Sequence, residues 1–234
     1  MIEKFTEVLC RFSTRDEGGN LAFHVGDDIK AVDANHALLA QKLGYNKDVL
    51  VHMKQIHSDI VHVVTPKDTF HTPPTCDALV TNRKNVPLMV MVADCTPVLF
   101  YDPVHKAIGV AHAGRAGAFG NIVKNVVQTM QSEYGSNPQE IIVSVGSAIG
   151  VCCYEVGEEI YEESKKEFGY AFEKHAGNYY LDINKIILTQ LKECGIQEEH
   201  IQNDGVCSAC NTKEYFSYRA EGQTGRFAGI LMLK

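Results

Sequence analysis

Leu88-Met89-Val90-Met91-Val92-Ala93-Asp94-Cys95-Thr96-Pro97-Val98-Leu99-Phe100-Tyr101-Asp102-Pro103-Val104-His105-Lys106-Ala107-Ile108-Gly109-Val110-Ala111-His112 is the stretch that decides the fold. It holds three apolar runs, Leu88–Ala93, Val98–Tyr101 and Ala107–Ala111, each of buried-strand length and too short for a buried helix. Asp102-Pro103-Val104-His105 between the second and third runs reads as a turn, so these two form an antiparallel, hairpin-like pair. Cys95 precedes the first strand of that pair and His112 follows the second. Antiparallel pairing therefore brings the thiol and the imidazole to the same edge.

The pattern on either side fits the same architecture. On the N-terminal side, Val32, Leu39 and Leu43 predict a helix over Ile29–Leu43, with Gly44 as its left-handed cap, and strands over Val49–Met53, Ile60–Val64 and Ala78–Thr81. On the C-terminal side, Phe119, Ile122, Val123, Val126, Val127 and Met130 recur at helical spacing. Ile141–Val145 reads as a strand, Val156–Phe168 and Ile183–Leu191 as helices, Tyr215–Tyr218 as strand-like and Phe227–Leu233 as a closing strand. Strands come in clusters as well as in alternation with helices. That predicts an α+β fold, a single domain over 1–234 with a large mixed β-sheet flanked by helices; no repeat or Ser/Pro/Gly-rich linker divides it.

Composition narrows the function. Hydrophobic residues are 45% and charged residues 22% of 234, enough for a sizeable core. A formal net charge of -7 speaks against a nucleic-acid polymer as partner, since phosphate backbones need a basic surface. A nucleotide or phosphate can still bind a locally basic pocket. The N-terminus has no apolar signal core, and no apolar run approaches the roughly 20 residues of a membrane span. Eight cysteines without an export signal read as cytosolic thiols. The expected location is cytoplasmic, with no membrane partner.

His57, Cys95 and His112 carry the chemistry. Two imidazoles and a thiolate make three zinc ligands and leave one position for water or substrate, the pattern of a catalytic rather than a structural site. His52, His57 and His62 are five apart, so at least two of these three are ordinary structural or surface residues. Gly114, Gly117 and Gly120 lie between His112 and the helical stretch. With Arg115 they form a candidate anion cradle, in which backbone amides and a fixed charge would hold a phosphate. Close strand–helix packing is the competing reading of these glycines. Cys207-Ser208-Ala209-Cys210 has Cys-x-x-Cys spacing and Cys152-Cys153 are adjacent. With no second Cys-x-x-Cys pair to complete a four-cysteine zinc site, all four read as structural thiols, with a redox role as the minor alternative.

At these residues the chain resembles the laccase-domain family, also known as the polyphenol oxidase or peptidoglycan editing factor family. The resemblance runs over nearly the whole length, through Phe12-Ser13-Thr14-Arg15, His24-Val25-Gly26-Asp27-Asp28, Gln55-Ile56-His57, Cys76-Asp77-Ala78, Ala93-Asp94-Cys95, His112-Ala113-Gly114, Cys152-Cys153-Tyr154-Glu155-Val156-Gly157, Phe216-Ser217-Tyr218-Arg219 and Gly225-Arg226. It implies a catalytic zinc on His57, Cys95 and His112, with copper as the alternative metal. It also implies phosphorolysis of adenosine, inosine, guanosine or methylthioadenosine, and deamination of adenosine. Nucleoside and phosphate would then be the small-molecule partners. Some family members look instead like amidase-type editing hydrolases of nucleotide-linked muramyl precursors. The chain departs from the pattern in having Arg115-Ala116-Gly117 where Trp-Arg-Gly is usual, Ala220 for a second arginine and Ser147 for a proline.

Beside the zinc enzyme stand a thiol hydrolase with Cys95 as nucleophile and His112 as base, and a non-catalytic metal-binding protein. A four-copper polyphenol oxidase is disfavoured: the chain has ten histidines but no His-x-His pair.

Overall fold

The computed structural model describes all residues, 1–234. Along the chain run β1 (Val8–Phe12), α1 (Arg15–Gly18), α2 (Ile29–Leu43), β2 (Val61–Val63), β3 (Ala78–Thr81), β4 (Leu88–Val92), β5 (Thr96–Asp102) and β6 (Ala107–Ala113). Then come α3 (Arg115–Phe119), α4 (Ile122–Tyr134), β7 (Ile142–Val145), β8 (Glu155–Val156), α5 (Glu158–Phe168), β9 (Phe172–His175) and β10 (Asn178–Leu181). The last elements are α6 (Ile183–Glu193), β11 (Ile201–Asn203), α7 (Tyr218–Glu221) and β12 (Phe227–Leu233). The fold is α+β.

A six-stranded sheet in the order β11-β7-β5-β6-β3-β2 forms the centre. It is mixed: β11/β7 and β2/β3 pair parallel, while β5 pairs antiparallel with both β6 and β7. Along β5, Val98 and Phe100 face one core with Val123, Val126 and Val127 of α4 and Ile186 and Ile187 of α6. Leu99 and Tyr101 face the other way, onto Leu88 and Val90 of β4 and Phe227 and Leu231 of β12. Those partners belong to a second, antiparallel sheet of order β1-β12-β4. Its outer face (Met89, Met91, Ala228, Ile230, Met232) packs on Leu39 and Ala40 of α2. The layers are helix, sheet, sheet, helix, so both sheets are covered on both faces. This is why the strands read as unbroken apolar runs although most pair antiparallel.

Several expected elements change. Val49–Met53 is not a strand but a 3-10 turn ending at Val49 followed by one isolated bridge at Val51. The long helix is broken: Phe119 belongs to α3, and Asn121, with φ of 63°, redirects the chain into α4. Tyr215–Tyr218 forms no strand, because the Ser217 hydroxyl caps α7 by accepting from the Ala220 N–H. Residues 155–156 are the short strand β8 rather than the start of α5. Gly44 does close α2 at φ 75°.

Candidate metal and substrate site

The β5–β6 register sets the site. Pro97 lies opposite His112, so Cys95, just before β5, reaches the same edge as the end of β6. Asp94, at φ 86°, turns the chain there. His57 comes from the 54–60 loop and also has a left-handed backbone, φ 59°. Such a conformation costs a residue with a Cβ free energy and persists only where surrounding contacts hold it.

Those contacts come from Asp77, a fully buried residue just before β3. Its Oδ1 accepts from the His57 N–H (3.1 Å), and its Oδ2 from the N–H groups of Ile56 (3.2 Å) and Ser58 (2.6 Å) and from the Ser58 hydroxyl (2.7 Å). Oδ1 also lies 2.8 Å from His112 Nδ1. One carboxylate thus shapes the His57 loop and orients the His112 ring. Burial works against its charge, but the bonds from His112 and Ser58 prevail and hold it down at about 2.

With Nδ1 engaged by Asp77, His112 presents Nε2 to Cys95. His57 Nε2 is 3.9 Å from Cys95 Sγ, and the three ligand atoms all lie within 4.8 Å of one another. Tetrahedral bonds of about 2.3 Å to sulfur and 2.0–2.1 Å to nitrogen require separations of about 3.6 Å, so the three atoms suit one metal ion. Gly114 makes the approach feasible, since a Cβ there would fall 2.9 Å from Cys95 Sγ and 3.1 Å from His57 Cδ2. Without metal, burial raises the Cys95 thiol, but His112 and His57 outweigh it and bring it to about 6. Burial likewise opposes a charged His112, yet Cys95 and Asp77 lift it to about 9. Both shifts favour a thiolate–imidazolium pair in the metal-free protein.

His57, Cys95 and His112 line a cavity of about 440 Å³, of ordinary size for a small-molecule site. Arg115, Arg219, Arg226, His24, Gln55 and Tyr154 line it too. None of the three guanidinium groups has a carboxylate partner; the chain's arginine–carboxylate pairs are Arg11–Glu17 and Arg15–Glu221. Arg219 donates to the carbonyls of Cys153 (3.2 Å) and Glu155 (2.9 Å), and Arg226 to those of Thr224 (2.8 Å) and Gly225 (2.9 Å). Backbone bonds therefore fix two of the three cations without an ion pair, although the Asp94 carboxylate also lines the cavity and acts on Arg226 at longer range.

Arg115 and Gly114 lie on this cavity, whereas Gly117 does not. A Cβ at Gly117 would sit 3.0 Å from the Ser58 carbonyl and 3.4 Å from that of His112, so close packing accounts for that glycine. Asp77, Arg226, Arg219 and His24 all fall within the short blocks quoted above, yet nothing in their spacing assigns them to the site. His52 and His62 are elsewhere: His52 bonds the Phe70 carbonyl and His62 pairs with Asp68. The four remaining cysteines of note are not scattered. Cys152, Cys153, Cys207 and Cys210 converge within 4.8 Å, because Cys152-Cys153 supplies the second pair through a tertiary contact rather than through sequence spacing.

A family model described as multi-copper polyphenol oxidoreductase laccase matches residues 11–234. The chain belongs to this laccase family. Among similar proteins, a purine nucleoside phosphorylase of Corynebacterium glutamicum is 39% identical over 217 residues, covering 92% of this chain and 86% of that protein. The purine nucleoside phosphorylase YlmD of Bacillus subtilis is 30% identical, covering 97% and 89%. Among solved structures, the Bacillus licheniformis hypothetical protein YfiH superposes with a TM-score of 0.93 at 31% identity, covering 100% of this chain and 96% of that one. No helix of this laccase-family chain is long and apolar enough to cross a membrane.

Proposed function

We propose that the chain is a zinc-dependent purine nucleoside phosphorylase that also deaminates adenosine, acting in the cytoplasm. The observation that carries the reading is a three-ligand His57/Cys95/His112 set opening onto the same cavity as three arginines without carboxylate partners. The relatives named purine nucleoside phosphorylase support it, and eight free cysteines fit a reducing compartment.

Zinc at this site would supply a Lewis acid with one coordination position open to substrate. The chain's residues do the rest. Asp77 fixes the His112 tautomer and the His57 loop, so the ligands are oriented before binding. Arg219 and Arg226, held by backbone carbonyls, and the exposed Arg115 give phosphate a positive cradle. Phosphorolysis joins a phosphate oxygen to the anomeric carbon of the nucleoside. The bond to the purine nitrogen breaks, its electron pair leaves with the base, and the base takes up the proton that phosphate loses. Positioning and charge neutralisation are what the arginines contribute. Deamination adds water at C6 of adenosine and releases ammonia without the phosphate cradle.

The test is to incubate the zinc-loaded chain with inosine or adenosine, with and without phosphate, and follow bases by chromatography. Phosphate-dependent hypoxanthine and ribose 1-phosphate are expected from inosine, and phosphate-independent inosine from adenosine. A chain that binds zinc stoichiometrically and releases no base from any purine nucleoside sinks the reading. Metal analysis separates zinc from copper, which would give a coloured thiolate–Cu(II) centre.

A further inference from the structure

Outside the substrate cavity, the loop of Gly150–Tyr154 and the turn of Cys207–Cys210 bring four thiols together. Cys153 Sγ lies 3.4 Å from Cys210 Sγ, and Cys152 Sγ lies 3.7 Å from both Cys153 Sγ and Cys210 Sγ. All four sulfurs, that of Cys207 included, fall within 4.8 Å of one another. We propose that Cys152, Cys153, Cys207 and Cys210 form a second, structural zinc site, distinct from the His57/Cys95/His112 centre.

Geometry argues for a single ion. Four thiolates at about 2.3 Å from a tetrahedral zinc stand about 3.8 Å apart, close to the spacings present; a cage this small has no room for a multi-iron cluster. Tetrahedral four-sulfur coordination is a zinc preference, and a closed set of four protein ligands marks a structural rather than a catalytic site. The surroundings suit thiolates. The Gly150 N–H donates to Cys207 Sγ at 3.2 Å, and the Arg219 guanidinium sits against the Cys153 carbonyl. A Cβ at Gly150 would lie 3.3 Å from Cys152 Sγ and 3.2 Å from Cys207 Cβ, so the loop packs closely against two of the thiols. Cys152 and Cys210 are exposed, which gives an ion a route in. Each thiol would release its proton to solvent as the metal binds.

The site would act as a staple. Ile149 and Tyr154, at either end of the first loop, line the substrate cavity, as do Tyr218 and Arg219 after the second. Ser208, inside the Cys207–Cys210 turn, donates to Asp94 Oδ1 at 2.7 Å, and the Arg219 N–H donates to Asp94 Oδ2 at 2.7 Å. An ion clamping the two segments would hold that cavity wall in place.

The test counts zinc on the full chain, purified under reducing conditions, stripped with chelator and reloaded. Wild type should bind two equivalents. Cys152→Ser and Cys210→Ser should each bind one, with a lowered thermal midpoint, and Cys95→Ser should also bind one. Should these variants fold poorly, cobalt(II) titration of the wild type provides an independent readout: one of two equivalents should show the intense sulfur charge transfer of a four-thiolate site. A wild type that saturates at one equivalent, kept in Cys152→Ser and Cys210→Ser but lost in Cys95→Ser, overturns the proposal. So does a second equivalent that survives in both serine variants, or a Cys153–Cys210 disulfide in the reduced preparation.

Discussion

Asp77 Oδ1 lies 2.8 Å from Nδ1 of His112 while the backbone carbonyl of Asp77 accepts the His112 N–H at 2.7 Å, so one residue grips the other at both ends. Ring orientation and strand position are set together. Replacing this carboxylate keeps all three candidate ligands in the sequence but loosens both the His112 ring and the His57 loop. Asp77→Asn should weaken metal binding by roughly 10–100-fold, measured by competition with a zinc-chelating dye. Unchanged affinity would mean that His112 is oriented by packing alone.

Arg226 is a sharper test of the cradle than Arg115, because it is fixed by two backbone carbonyls while Arg115 is exposed. Loss of one charge-assisted contact costs about 1.5–3 kcal/mol. Arg226→Ala should therefore lower kcat/KM for phosphate on the order of tenfold to a hundredfold, with a smaller effect for Arg115→Ala. Adenosine deamination should suffer less in both. Equal loss of the two activities would show that the arginine holds the nucleoside or the fold instead of phosphate.

In the metal-free protein, Cys95 should stay nucleophilic well below the range of an ordinary thiol. Its pull to about 6 by His112 and His57 means that the thiolate persists as pH falls until about 6. Alkylation by iodoacetamide should keep its rate from pH 8 to pH 7 and fall off near 6. Zinc should protect the residue, and His112→Ala should move the transition upward. A rate that rises tenfold per pH unit up to pH 9 would exclude the thiolate–imidazolium pair.

Gly114→Ala tests the tightness of the metal set. Its φ of -77° accommodates alanine, so the only penalty is the Cβ, 2.9 Å from Cys95 Sγ. Overpacking of this kind costs about 1–3 kcal/mol. The variant should fold, as judged by circular dichroism, yet bind metal more weakly.

A pH effect on stability arises far from the metal. His36 is fully buried, stacked on Phe23, with Nε2 2.7 Å from the Leu21 carbonyl. Burial lowers it from 6.5 to about 4. The unfolded chain takes up a proton below about 6.5 and the folded chain only below about 4. Stability is thus fully present above 6.5 and declines as pH falls to 4, by about 3 kcal/mol. Urea melts at pH 7 and pH 4.5 should differ accordingly, and His36→Gln should flatten that difference.

Much of this arrangement was legible in the chain. The runs 78–81, 107–111 and 227–233 appear as strands because continuous apolar character reports burial on both faces, and antiparallel pairing alone predicted that Cys95 and His112 share an edge. The metal set depends on long-range contacts that no spacing encodes. His57 reaches it only because Asp77, twenty residues later, stabilises a left-handed backbone, and Cys152-Cys153 meets Cys207 and Cys210 only through the fold. Gly117 was ambiguous because a glycine beside a helix start serves close packing and anion binding equally well. Gly225-Arg226 is a visible block, but an arginine just before a strand carries no periodic signal that would place it on the cavity.

The strand β12 lies between β1 and β4, which makes the middle of the smaller sheet a late product of translation. The ribosome releases β1 and β4 long before residues 227–233 emerge, and until then neither strand has its neighbour. Long-range closures of this kind are slow and leave apolar edges open to aggregation in the interval. Arg226 stands immediately before β12, with Arg219 and Tyr218 close upstream, so the wall of the cavity is completed in the same late event. A nascent chain would already carry His57, Cys95 and His112, yet the cavity they line would lack that wall until β12 had paired between β1 and β4.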